Sequence, residues 1–452
     1  MKLKFLITAS FFSVVISAQE VQTISLKDAI EYALQNKADA KKAALQIENS
    51  EYLIQEARAG ALPKINAHGG LTYNPILQET AIPTSSFPGF EDYPEPFLIM
   101  AMGQKWNSVA GITLSQNLFD QTVFTGLKAA KTTREFYRIN AELTEQQIIE
   151  RVSTAYYNVY IQQEQLKTID ESYDNMERVS KVIQSLYENG LAREIDLDRV
   201  NVQLTNLKSA RQQLINAVAL TENALKFYIG MPIEQPIALE EGDFEVTQIL
   251  LEDTIETENR TEYQILKKQD ELLKLQKQAF KAAYYPKLSL MASYNYLGQG
   301  DRMPIGAGLS KGVYWSDYSS IGLNLSIPIF NGNEIKAKVS QADIQIRELE
   351  QQLADTKLGL NLEYQNAKAQ IENNYIAIEN QQENVNLAQK VVNNTQNNYS
   401  LGLATLTDLL ESENALINAK NNYSNAVLQL KLAQIQLLKS KGELNTLKEG
   451  KL

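Results

Sequence analysis

Cysteine is missing from this 452-residue sequence, and histidine occurs once. Without cysteine there is no disulfide, no thiolate nucleophile and no attachment point for an N-terminal lipid. A single histidine leaves no metal-spaced cluster and no catalytic constellation, so no enzyme activity and no cofactor are expected. The formal net charge is −11 and no basic tract exists, which argues against a nucleic-acid partner. Beyond the N-terminal segment no apolar run approaches the 18 residues of a membrane-spanning helix. A chain of this kind crosses a bilayer only as a closed β-barrel, the other structure that satisfies every backbone group in lipid. Proline is scarce where it would matter most. None falls in 121–188 or 333–401, and each of these stretches holds one glycine, Gly126 and Gly359.

The chain begins MKLKFLITASFFSVVISAQE, with Lys2 and Lys4 ahead of an apolar stretch and Ser17-Ala18 before Gln19. This layout predicts a secretory signal over 1–18. The remainder repeats itself. YENGLAREIDL at 187–197 returns as YSLGLATLTDL at 399–409, with Tyr, Gly, Leu, Ala and Asp at one offset of 212. LSQNLFD at 114–120 matches LSIPIFN at 325–331, and ALPKI at 61–65 answers YPKL at 285–288. Two structural repeats, 19–235 and 236–452, account for these pairs.

Each repeat carries two alternating segments. Leu288, Leu290, Ala292, Tyr294 and Tyr296 oppose Ser289, Ser293 and Asn295; Ile321, Leu323 and Leu325 oppose Gly322, Asn324 and Ser326. In the first half, Ile65, Ala67, Leu71 and Tyr73 oppose Asn66, His68 and Thr72, and Ala110, Ile112 and Leu114 oppose Gly111, Thr113 and Ser115. Strict period two means strands with one apolar and one polar face. A sandwich core and a barrel with lipid outside and water inside both fit; His68 would then be a solvated residue of the polar face. Trp106, Tyr314, Trp315 and Tyr318 sit at strand ends, where an aromatic belt would lie. Five of the eleven prolines fall in 75–105, which predicts a loop with little regular structure.

The two proline-free stretches carry apolar residues at steps of three, four and seven: Ile148, Val152, Ala155, Val159, Ile169, Met176 and Ile183, then Ala342, Ile346, Leu349, Leu360, Ile371, Ile378 and Val392. This is a coiled-coil seam on helices of roughly 100 Å at about 1.5 Å per residue. Shorter helices are expected over roughly 25–60, 191–229, 261–284 and 403–440. Gln- and Asn-rich remaining faces read as wet on both sides. A plain coiled-coil scaffold shares that pattern but leaves four strands without a role.

Four segments in this order, SLKDAIEYALQNK (25–37), YYPKLSLMASY (284–294), LSIPIFNGNEIKAKV (325–339) and YSLGLATLTDLLESENALINA (399–419), resemble the TolC-like outer-membrane efflux proteins. The resemblance spans nearly the whole chain. It implies a mainly α fold with a membrane β-barrel: a homotrimer whose duplicated helix-strand-strand-helix repeats give a 12-stranded barrel in outer-membrane lipid. A long α-helical barrel continues it into the periplasm. The implied function is a passive exit duct in the outer membrane of a Gram-negative cell, for tripartite efflux or type I secretion, served by a periplasmic membrane-fusion adaptor and an inner-membrane pump. A non-pore periplasmic scaffold or adaptor is the alternative.

The same resemblance assigns residues. Asp408 and Glu411, six and nine after the tip glycine Gly402, match the acids that ring the family's entrance, and Tyr399 matches a position that helps hold it shut. Asp196 is the first-repeat counterpart of Asp408. An acidic first turn that complements the helix dipole explains the two aspartates equally simply. Where the family carries an arginine two residues past that glycine, this chain has Ala404, which leaves Arg193 or Arg199 to make the lock. Gly190, Leu191, Gly402, Leu403 and Thr405 match the tips on which adaptor hairpins dock.

Overall fold

The computed structural model describes residues 22–86, 89, 94–240 and 255–449. The expected signal at 1–18 and Pro88 lie outside them. In chain order the elements are β1 (Gln22–Ile24), α1 (Leu26–Asn36), α2 (Ala38–Ala59), β2 (Lys64–Tyr73), β3 (Gln78–Pro83), β4 (Phe97–Met102), β5 (Trp106–Phe119), α3 (Gln121–Glu188) and α4 (Glu194–Ile229). There follow β6 (Ile237–Leu239), α5 (Thr261–Ala282), β7 (Lys287–Gly300), β8 (Val313–Ser326), α6 (Glu334–Ser400) and α7 (Leu406–Lys441). The halves match in length: α2 and α5 have 22 residues each, α4 and α7 have 36, and α3 and α6 have 68 and 67.

Two compact units divide the chain, and neither follows the sequence halves. One comprises 1–47, 137–267 and 352–452, the other 48–136 and 268–351. The first unit is helical. Its seam residues are buried as the spacing predicts, with Val152, Val159 and Ile371 fully enclosed. One cluster joins α1 to mid-α3 and the ends of α4 and α7 through Ile30, Ile149, Leu225 and Ile435. A second joins α3, α4 and α7 nearer the turns through Met176, Ile183, Val200 and Leu409. A third packs α6 on α7 through Tyr364, Ile371, Leu430 and Leu437. Strands β1 and β6 pair in parallel beside the first cluster.

The helix expected over 25–60 is broken at Lys37, which has extended backbone. The cause is tertiary. Gly230, the left-handed cap of α4, lies so close that a Cβ there would sit 3.2 Å from the Asn36 and Lys37 backbone. The Lys37 ammonium donates to the Phe227 carbonyl at 2.7 Å, satisfying one of the orphan acceptors at the end of α4.

The second unit holds the two antiparallel sheets. Strands β2, β5, β7 and β8 form one antiparallel four-stranded sheet in that order, with β2 and β8 at its edges. The loop expected over 75–105 is a correction: β3 and β4 pair antiparallel within it. Of its prolines only Pro83 lies in a described strand, at the end of β3. That strand pairs with β4 alone, so the missing N–H costs no second ladder bond. Thr84 then closes the turn by donating from its N–H to the Pro96 carbonyl at 3.2 Å.

Candidate pore entrance and membrane face

Register converts the alternation of single strands into rows. Ile65, Leu114, Ala292 and Ile321 stand opposite one another across the sheet, as do Ala67, Ile112, Tyr294 and Ser319. On this face Ile65 is 67% exposed, Ile321 81% and Leu323 66%. A water-soluble sheet would bury such a row; here it is bare, the pattern of a surface made for lipid. The opposite face aligns Asn66, Thr113, Ser293 and Ser320, with the Ser293 and Ser320 hydroxyls 2.9 Å apart. His68 falls on this polar face opposite Gly111, where a Cβ would meet the imidazole at 2.9 Å and the Asn295 amide oxygen at 2.2 Å.

The proposed belt divides between the two faces. Trp315 shares the parity of Ile321 and stacks on Tyr296 at 4.8 Å, while Trp106 lies 4.6 Å from Tyr73. Gly298 makes room for Trp315, since a Cβ there would lie 2.8 Å from the indole. Tyr314 and Tyr318 have the other parity and stand on the polar face. The apolar face therefore carries Tyr73, Trp106, Tyr294, Tyr296 and Trp315. Position along the strand puts an aromatic near its end, but parity sets which face it occupies.

At the turns the repeat becomes geometric. Gly190 has φ +74° and Gly402 has φ +73°, the left-handed region that glycine enters without strain. Leu191 donates to the Leu186 carbonyl and Gly190 to Tyr187; Leu403 donates to Asn398 and Gly402 to Tyr399. Both are Schellman caps, one per hairpin. Such a cap usually tucks the residue after its glycine against the helix, yet Leu191 and Leu403 are both 76% exposed.

The two aspartates are held differently. Thr405 is the N-cap of α7, and its hydroxyl accepts from the Asp408 N–H at 3.2 Å. Asp408 Oδ2 accepts from the Thr405 N–H at 2.8 Å and from its hydroxyl at 2.7 Å. This reciprocal capping box satisfies two orphan donors. The Thr405 hydroxyl first, then its backbone N–H, hold the Asp408 carboxyl below its ordinary value. In the first hairpin Arg193 stands where Thr405 would, makes no side-chain cap, and forks onto both Asp196 oxygens at 2.9 and 3.0 Å. That guanidinium holds Asp196 below the usual carboxylate range. Arg199 crosses between hairpins and donates to the Thr407 hydroxyl at 2.9 Å. Tyr399 packs on the cluster of α3, α4 and α7, and burial, then the Asp196 charge, push its phenol up. Glu411 is exposed one turn beyond Asp408.

Residues 29–230 and 256–443 match the family described as Outer membrane efflux protein. The chain belongs to that family. It is 23% identical over 441 residues to the outer membrane protein TolC of Escherichia coli K12, covering 94% of this chain and 83% of that protein. The pyoverdine export outer membrane protein OpmQ of Pseudomonas aeruginosa is 22% identical over 91% and 82%. The crystal structure of VceC from Vibrio cholerae superposes with a TM-score of 0.71 at 17% identity, covering 92% and 96%. The fold is that of these channels, a β-barrel joined to an α-helical barrel, and the protein is an outer-membrane export channel. No described helix is long and apolar enough to cross a membrane.

Within this outer membrane efflux protein, sequence reasoning missed one polar constellation. A cleft of about 960 Å³ between α3, α6 and α7 is lined by Glu171, Arg178, Tyr399, Glu413 and Lys420 among others. Lys420 pairs with Glu171 at 3.0 Å, and burial pushes the Glu413 carboxyl up. The signal was present: Leu406, Leu409, Glu413, Leu416 and Lys420 step by three and four. Glu413 and Lys420 thus occupy seam positions where a hydrophobic residue is ordinary.

Proposed function

We propose that three copies of this chain close the barrel and that the channel is the exit duct of a tripartite system, reached by a periplasmic adaptor and driven by an inner-membrane pump. One observation carries the trimer: a four-stranded sheet with a bare apolar face and two open edges, β2 and β8. Four strands are too few to close a barrel, and an open edge in lipid leaves backbone groups unpaired. The strands alternate in direction, so β8 of one copy pairs antiparallel with β2 of the next, and three copies close twelve strands. A duplication, with halves 19–235 and 236–452, accounts for the matched helices and for the two Schellman tips.

At the tips, Leu191 and Leu403 beside Gly190 and Gly402, with Thr405 capping the second hairpin, are the docking surface for adaptor hairpins. Asp408 and Glu411 of three copies give six carboxylates around the entrance, with Tyr399 and Asp196 bracing the hairpins behind them. Purified protein should run as a trimer in detergent and give discrete conductance in a planar bilayer. A periplasmic scaffold would remain soluble without detergent and conduct nothing. Leu191→Asp with Leu403→Asp should abolish export while leaving trimer and conductance intact; unimpaired export would refute the docking role.

A further inference from the structure

The register places two connecting segments at one end of the sheet. Tyr73 pairs with Trp106, Trp106 with Gly300 and Gly300 with Val313, so 74–105 and 301–312 both leave from that end. Each exposes apolar side chains. In the β3–β4 ribbon, Phe97 and Ile99 stand opposite Pro83 and Ala81 on one face and are 49% and 61% exposed. In 301–312, Met303, Ile305 and Leu309 are 48%, 65% and 76% exposed. Within one chain these segments leave from adjacent strand ends of the β5–β7 pairing, and all five side chains remain half or more exposed there, to within a few per cent.

Resting on the trimeric reading, we propose that these two surfaces are partners between copies. Closing β8 of one protomer on β2 of the next brings 301–312 of the first to the ribbon of the second at one strand spacing, about 4.8 Å. Each ribbon strand has six residues, roughly 20 Å at about 3.4 Å per residue, which is ample reach. Charge agrees: 74–105 carries a net −3 and 301–312 a net +1. Phe97 and Ile99 of one copy cover Met303, Ile305 and Leu309 of its neighbour, forming three clasps around the outer mouth. The barrel is thus held by side-chain packing above the lipid as well as by edge hydrogen bonds within it.

Absence of native cysteine makes the test direct. Phe97→Cys or Ile99→Cys is combined with Met303→Cys, Ile305→Cys or Leu309→Cys, giving six double variants. Each is oxidised in detergent after native mass spectrometry has established the oligomer. The expected result is at least one pair that runs at dimer and trimer mass on a non-reducing gel, reverts with reductant, and has no counterpart in the single-cysteine variants. A trimer in which all six pairs remain monomeric, or link only within a chain on peptide mapping, overturns the clasp while the trimeric reading stands. Absence of a trimer overturns both. Ile99→Cys provides the second measurement: in intact trimer a hydrophilic maleimide should label it at least tenfold more slowly than in denatured chain. Labelling at the denatured rate overturns the clasp and leaves the ribbon open to an external partner.

Discussion

Replacing Thr405 by alanine removes its hydroxyl along with a methyl and tests how the second hairpin is held. Its hydroxyl accepts from the Asp408 N–H and donates to the Asp408 carboxylate. Loss of an N-cap of this kind costs about 1 kcal/mol. Leu406 and Leu409, 5% and 3% exposed, keep the start of α7 packed, so the loss should remain within the first turn. At about 0.59 kcal/mol for RT, it corresponds to a roughly fivefold rise in the exchange rate of the Asp408 amide. Hydrogen–deuterium exchange of detergent-solubilised protein would show it in peptides spanning 405–409. The internal control is α4, whose N-cap Arg193 makes no side-chain cap and whose Asp196 N–H already turns to the Arg193 carbonyl. The pH sign follows from the same bonds. Asp408 is depressed in the folded state, so its contribution is present above the ordinary carboxylate value and lost as pH falls through the folded one. Thr405→Ala should move that loss to higher pH, whereas Thr405→Ser should behave as wild type. Unchanged exchange over 405–409, or an equal rise over 194–197, would refute the capping argument.

Gly402→Ala forces a left-handed φ on a residue with a Cβ, a strain of roughly 1–2 kcal/mol. The melting temperature should fall by about 2–4 °C or more on calorimetry, and Gly190→Ala should match it. Asp408→Asn with Glu411→Gln removes the carboxylates proposed for the entrance, and the reversal potential in a salt gradient should shrink by about half or more; an unchanged potential would exclude these residues from the lumen. Glu413→Gln addresses the cleft. Burial raises the Glu413 carboxyl, so its ionisation opposes folding as pH rises from the ordinary carboxylate value through the folded one. The variant should melt on the order of 2 °C higher than wild type near pH 8 and no higher near pH 4.

Elements governed by local pattern were legible in the sequence, and those governed by neighbours were not. Absence of proline and a continuous seam delimited 121–188, the span that α3 occupies. The strand pairs announced themselves by period two. The break at Lys37 did not, because its cause is Gly230, some 190 residues distant. The β3–β4 pair was hidden by proline density: a strand bonded on one side only tolerates Pro83 at its end, and composition does not report which sides are bonded. Tyr314 and Tyr318 part from Trp315 by parity along one strand, a period-two distinction that position near the strand end does not capture. At the tips, spacing located the acids, but the box on Asp408 and the fork on Asp196 depend on the residues at 405 and 193.

That difference at 405 and 193 makes two hairpins of like backbone chemically unlike. Two identical hairpins would each carry a threonine cap and an acid nine residues past the glycine. The facing helices α4 and α7 would then bring four carboxylates per copy toward one another at their starts. In the first hairpin, arginine replaces both threonine and acid. Arg193 engages Asp196 within its own helix, and Arg199 bridges to the Thr407 hydroxyl of α7. The first hairpin is thereby charge-compensated and tied to the second, while the second keeps Asp408 and Glu411 without a basic partner of their own hairpin in the first turns. The backbone of the tips is shared almost to the degree in φ. The chemical difference lies in the side chains: arginine ties the first hairpin, and the second keeps two exposed carboxylates.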